Sequence, residues 1–154
     1  MKPYTRQASV TWWGTNHRGR GVITTPSAVL KRASYAFSRN HERTGTNPPE
    51  LVAAAHAGSF SMTLAKELAQ AGHRPDQIET LATVTMEKMA AGWTMTQIHL
   101  DVVATVPKTA ECDFIDAALR AKANCPISRL LNANTSMRAK LLNGHAIKKK
   151  GMTS

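Results

Sequence analysis

Hydrophobic positions alternate with polar ones over short stretches near the N-terminus, become nearly continuous over one long stretch, then alternate again. Residues 4–13 are rich in β-branched and aromatic types and read as a strand. Gly14-Thr15-Asn16-His17 reads as a turn. A second strand is expected at about Gly19 to Thr25, ended by Pro26-Ser27, and a third extended piece around Ala33–Ser38. Arg39 to Thr46 is polar, carries Gly45 and reads as a loop.

The continuous stretch begins at Thr46-Asn47-Pro48-Pro49-Glu50-Leu51 and runs through Ala, Leu, Val, Met and Phe towards Gly72. Asn47 suits an N-cap, Pro48 the first helical position, and Glu50 the third residue of a capping box. Gly72 is a natural C-terminal stop. A helix without a broad polar face is expected to be buried on most sides, and so to be the central helix. Ile78–Met89 and Trp93–Val106 alternate around the turn Ala90-Ala91-Gly92 and predict an antiparallel hairpin. Ala110–Ala123 has helical periodicity. A short helix is expected from Pro126, with Cys125 as its N-cap, and a last strand over Asn134–Leu142. The order βββ-α-ββ-α-α-β is α+β: antiparallel sheets around a buried helix, one domain over residues 1–143 and a basic tail over 144–154.

With 154 residues, 42% hydrophobic and 19% charged, the chain is large and apolar enough for one folded core, and wholesale disorder is excluded. No apolar run reaches the roughly 18 to 20 uncharged residues of a membrane span. The start Met1-Lys2-Pro3-Tyr4 does not lead into an apolar secretory region, so a cytoplasmic location and reduced thiols are expected. A formal net charge of +10 raises nucleic-acid binding as a possible function. Only 5% of residues are aromatic, and none is interleaved with the basic residues as a stacking platform requires, so nucleic acid is not the expected partner.

Two thiols are present, Cys112 and Cys125, without zinc-ligand spacing. Cys125 is the candidate reactive thiol, because a helix N-terminus favours the thiolate. Cys112 sits between Glu111 and Asp113, whose charges disfavour one, and reads as structural. His56 and Ser59 stand three apart on the long helix. A Ser–His nucleophile would need a strand-to-helix elbow, so the expected state is a core histidine bonded to a backbone carbonyl beside a small serine. The other histidines show no ligand spacing, and no metal or resident cofactor is expected.

Gly45-Thr46-Asn47-Pro48-Pro49-Glu50-Leu51-Val52-Ala53-Ala54-Ala55-His56-Ala57-Gly58-Ser59-Phe60-Ser61-Met62, with Cys125-Pro126-Ile127-Ser128 further on, resembles the OsmC/Ohr family of osmotically inducible and organic-hydroperoxide-resistance proteins, on the OsmC side. That resemblance implies a thiol peroxidase for organic hydroperoxides and hydrogen peroxide, built as an intertwined homodimer with two interface active sites. It implies an attacking cysteine at position 59, a resolving thiol at Cys125, a carboxylate at Glu50 and an arginine at Arg39, with Arg43 as the rival. The disulfide formed in each cycle is opened by an external dithiol such as a lipoyl group.

Position 59 is Ser, and a serine hydroxyl is neither ionised near neutral pH nor oxidisable to a sulfenic acid. The chain as written is therefore expected to be inactive by the family's cycle, whether the exchange is engineered or a natural loss. Glu50 and Ser59 lie nine residues apart in one helix, about 13 Å along its axis and about half a turn out of phase, so Glu50 is expected to serve a partner subunit's site. The alternatives are a non-enzymatic relative that binds an apolar ligand, and a basic stress protein that binds nucleic acid.

Overall fold

The computed structural model describes residues 3–36 and 45–142. The expected tail, the end of the third extended piece at residues 37–38, and both arginines of the expected loop, Arg39 and Arg43, lie outside them. The chain divides into two compact units, residues 1–51 and 52–154.

In the first unit, β1 (Ser9–Trp13), β2 (Arg20–Thr24) and β3 (Ala33–Tyr35) form an antiparallel meander in that order. The strand expected from Tyr4 starts only at Ser9, which pairs with Thr24. Beyond Thr24 the chain turns away, Thr25 N–H donating to Leu30 O at 2.8 Å, so residues before Ser9 have no strand to pair with. Trp12 sets the local packing, meeting Tyr35 edge-on at 6.3 Å. A Cβ at Gly19 would stand 2.5 Å from the Trp12 ring and 2.4 Å from Thr15 O, which makes glycine a requirement there.

Helix α1 runs Pro48–Gln70. The Glu50 N–H donates to Asn47 Oδ1 at 3.0 Å, giving the expected cap. The return contact differs from the capping box: the Asn47 side-chain amide donates to Glu50 Oε2 at 3.2 Å. At the other end Gly72 takes φ +84°, and His73 N–H closes on Leu68 O at 2.9 Å.

The second unit holds β4 (Gln77–Met89), β5 (Gly92–Thr105) and β6 (Asn134–Leu142), ordered β4-β5-β6, with α2 (Glu111–Asn124) and α3 (Pro126–Leu130) between β5 and β6. β4 and β5 form the expected antiparallel hairpin, with a bulge at Thr85/Met86. β6 departs from the expectation of antiparallel sheets, because it runs parallel to β5, from Gln97↔Asn134 to Thr105↔Leu142. The physical reason is the connection: two helices carry the chain back to the starting end of β5, as a parallel neighbour requires.

Phe60, Leu64 and Leu68 of α1 form one core with Ile98, Leu100 and Val102 of β5, and with Phe114, Ala118 and Cys125. The sheet's inner face is largely apolar because side chains alternate along β6 and along β4 as far as Met86. Helix α1 is not covered on most sides within one chain. Its buried positions, His56, Phe60, Leu64, Glu67 and Leu68, make one stripe, and Met62 is 77% exposed. Its many alanines raise the apolar count without adding much area that needs cover.

Candidate functional site

The core stripe of α1 decides what stands next to it. Phe60 and Leu64 fix the rotation of the helix against the sheet, and Ser59 comes with them, half-buried, its carbonyl accepting from Thr63 Oγ1 at 2.8 Å. Ser61 anchors the same turn to β4, bonding Thr80 Oγ1 at 2.8 Å.

Cys125 arrives from the other side. It ends α2 and starts α3, with extended backbone angles (φ −60°, ψ 123°), its N–H donating to Ala121 O and its carbonyl accepting from Arg129 N–H. Pro126 follows at the first helical position, as expected. The thiol is fully buried, and its Sγ lies 3.4 Å from Ser59 Oγ. Burial pushes the Cys125 thiol up, but hydrogen bonds from the Ser59 hydroxyl, from the backbone and hydroxyl of Ser128, and from the Ile127 N–H outweigh it and hold the thiol below its usual value. The stabilisation comes from specific donors aimed at the sulfur rather than from a nearby cation.

His56 belongs to the same cluster. It is fully buried, and its Nε2 lies 2.7 Å from Ser128 Oγ. Sequence reasoning had expected a backbone carbonyl as its partner; the actual one is a hydroxyl on α3. Its Nδ1 has no hydrogen-bond partner among the described residues. Desolvation lowers the imidazole's pKa.

Of the four residues singled out for the site, Ser59 and Cys125 are together. Glu50 is exposed in the first turn of α1 and engaged with Asn47. Arg39 lies outside the described residues. Cys112 is an exposed free thiol in the first turn of α2, 3.9 Å from Asp113 Oδ1, where a structural role gains nothing from burial. Cys112 and Cys125 stand at opposite ends of α2, about 20 Å apart by helical rise, too far for a disulfide.

Sequence reasoning missed Glu67. It is buried between α1 and α2, accepting from Asn124 Nδ2 at 2.9 Å and from Arg120 Nε at 3.1 Å. The only signal was its place on the core stripe, seven residues after Phe60. No cluster of His, Cys, Asp and Glu among the described residues could hold a metal ion, and none of the described helices is long and apolar enough to cross a membrane.

A buried thiol thus meets a hydroxyl where α1 faces the junction of α2 and α3, and comparison with known proteins gives the chain's family. Residues 40–140 match the family of OsmC-like proteins. The chain is 38% identical over 133 residues to peroxiredoxin OsmC of Escherichia coli strain K12, covering 86% of this chain and 93% of that protein. Among solved structures it resembles an OsmC-like protein from Mycoplasma pneumoniae, with a TM-score of 0.75 at 10% identity, covering 92% of this chain and all of that one. It also resembles the organic hydroperoxide resistance protein OhrB of Bacillus subtilis, with a TM-score of 0.65 at 24% identity, covering 88% and 98%. The chain belongs to the OsmC-like family, and its α+β fold is that family's fold.

Proposed function

We propose that this chain is an OsmC-type peroxidase scaffold for organic hydroperoxides and hydrogen peroxide whose attacking position, Ser59, carries oxygen in place of sulfur. The observation that carries the reading is the 3.4 Å approach of Ser59 Oγ to Cys125 Sγ. A thiolate at position 59 would attack the terminal peroxide oxygen, break the O–O bond, release an alcohol and become a sulfenic acid. The Cys125 thiolate would then displace hydroxide, released as water, and close a disulfide that an external dithiol opens. Serine stops the sequence at its first step. Cys125 alone keeps a thiol whose pKa is held below its usual value, but it has no sulfur partner.

Arg39, with Arg43 as the rival, and Glu50 are the charged groups proposed to hold the attacking thiolate and orient the peroxide, Glu50 being supplied by the partner of a homodimer. A second chain is supported by the uncovered face of α1, where Met62 stands exposed. The working unit is taken as one domain over residues 1–143, in the cytoplasm, without a resident cofactor. Steady-state reduction of an alkyl hydroperoxide by a dithiol such as dihydrolipoamide tests the reading. The unaltered chain should turn over at the uncatalysed rate and Ser59→Cys well above it. A folded Ser59→Cys protein without turnover would favour the ligand-binding alternative.

A further inference from the structure

Cys125 sits at a break between two helices. It ends α2 and opens α3 with an extended backbone, and its own main-chain bonds go to Ala121 O and Arg129 N–H in those two helices. The sulfur faces a different element, α1, which carries Ser59. Two polar contacts reach from the break across to α1, one on each side of the cysteine. The residue before it, Asn124, donates to the Glu67 carboxylate at 2.9 Å. In the first turn of α3 after it, Ser128 Oγ lies 2.7 Å from His56 Nε2.

Both anchors on α1 are buried: His56 fully, and Glu67 with only 6% of its surface exposed. They stand eleven residues apart, about three turns of helix and about 17 Å, so they share one face of α1 with Ser59 between them along the axis. The Glu67 carboxylate also accepts from Arg120 Nε at 3.1 Å, one turn before Asn124 on α2, so it grips the last two turns of that helix. A buried polar group is costly to leave without its partner, which keeps both contacts closed. With one contact the extended residue could pivot about it. Two contacts on opposite sides of the sulfur fix its distance from α1.

We propose that Glu67 and His56 are positioning residues: acting through Asn124 and Ser128, they hold the Cys125 sulfur against position 59 and so set the effective concentration of one for the other. The proposal rests on the reading that position 59 and Cys125 are the reacting pair. Closing a disulfide costs entropy according to the freedom its two sulfurs lose, and a pair already held at contact distance avoids most of that cost. The core packing of Phe60 and Leu64 fixes position 59 from the side of α1. The two tethers do the same for the sulfur opposite.

The test is the thiol–disulfide equilibrium of Ser59→Cys with Cys112→Ser in mixtures of glutathione and its disulfide. Each closure oxidises the two protein thiols to one disulfide and reduces one glutathione disulfide to two thiols, so the equilibrium constant is an effective concentration. Asn124→Ala and Ser128→Ala should each lower it about tenfold, the size expected from losing one hydrogen-bonded anchor. His56→Leu added to Ser128→Ala should lower it less than about twofold further, because His56 acts through Ser128. The reciprocal exchange Glu67→Gln with Asn124→Asp turns the first bond around and should recover most of what Asn124→Ala loses. Asn124 is exposed and Ser128 half-buried, so both truncations keep the core, and either alone decides if the other does not fold. A constant within about twofold of the parent in folded Asn124→Ala or Ser128→Ala overturns the proposal. A comparable fall in Val106→Ala, a buried core residue off both tethers, also overturns it, because lost stability alone would then loosen the pair. The equilibrium uses no peroxide. Absence of turnover in Ser59→Cys would sink the peroxidase reading and leave the tethers standing, whereas an unchanged constant beside normal turnover would sink only the tethers.

Discussion

The buried carboxylate of Glu67 and the side-chain amide of Asn124, 2.9 Å apart, tie the last turn of α1 to the last residue of α2, immediately before Cys125. Arg120 closes the other carboxylate oxygen at 3.1 Å. The two helices that bring Ser59 and Cys125 together are thus joined by a polar clamp inside an otherwise apolar seam. Removing the carboxylate leaves a guanidinium and an amide without their acceptor.

The clamp makes stability depend on acid. The hydrogen bond from Asn124 lowers the Glu67 pKa, burial opposes it, and Arg120 adds to the lowering. A lowered carboxyl stabilises the fold fully above the unfolded value, near 4.5, and the contribution is lost as pH falls through the folded value. Glu67→Gln should weaken the fold at neutral pH and flatten this part of the acid limb. Urea midpoints measured across that range for both proteins check it.

His56 adds a second acid sensitivity at higher pH. Its folded pKa is lowered below the usual 6.5 by burial, so the unfolded chain binds that proton more readily. Stability from this group is complete above about 6.5 and is lost as pH falls through the folded value. In His56→Gln the dependence should vanish from this window while the Glu67 limb remains. Thermal midpoints recorded against pH separate the two.

Phe60 is fully buried at the centre of the core and adjoins Ser59 in sequence. Phe60→Ala should cost about 3–5 kcal/mol, the range for deleting a buried ring. Met62, two residues on and exposed, should cost less than about 0.5 kcal/mol in a single chain on replacement by Ala. Equilibrium denaturation gives both values. A much larger loss at Met62 would mean that the exposed face of α1 is covered in solution.

That coverage is what the homodimer requires. Light scattering at micromolar concentration should give twice the mass of one chain. A monomer would remove the proposed supply of Glu50 from a partner, since Glu50 in its own chain is occupied with Asn47.

The sequence made the hairpin of β4 and β5 legible almost to the residue, because alternation over Ile78–Met86 and Gln97–Ala104, with the turn Ala90-Ala91-Gly92 between, favours the register that buries the apolar set. It overextended β1 because strand propensity at residues 4–8 has no partner to satisfy it. The direction of β6 was not legible. Alternation is the same in parallel and antiparallel strands, and only the path through α2 and α3 decides it. The cap at Asn47 and the junction at Cys125-Pro126 were local and readable. The approach of Ser59 to Cys125 was reached only through family resemblance, and the His56–Ser128 bond not at all, since it joins residues 72 apart whose types alone name no partner.

The most direct measurement of the central claim uses Ser59→Cys with Cys112→Ser, treated with one equivalent of an alkyl hydroperoxide and digested without reduction. If position 59 is the attacking site and Cys125 its resolving partner, mass spectrometry should find a disulfide linking position 59 to Cys125, with one alcohol released per disulfide. Oxidation that stays at position 59 as sulfinic or sulfonic acid, with Cys125 free in a folded protein, would contradict the account.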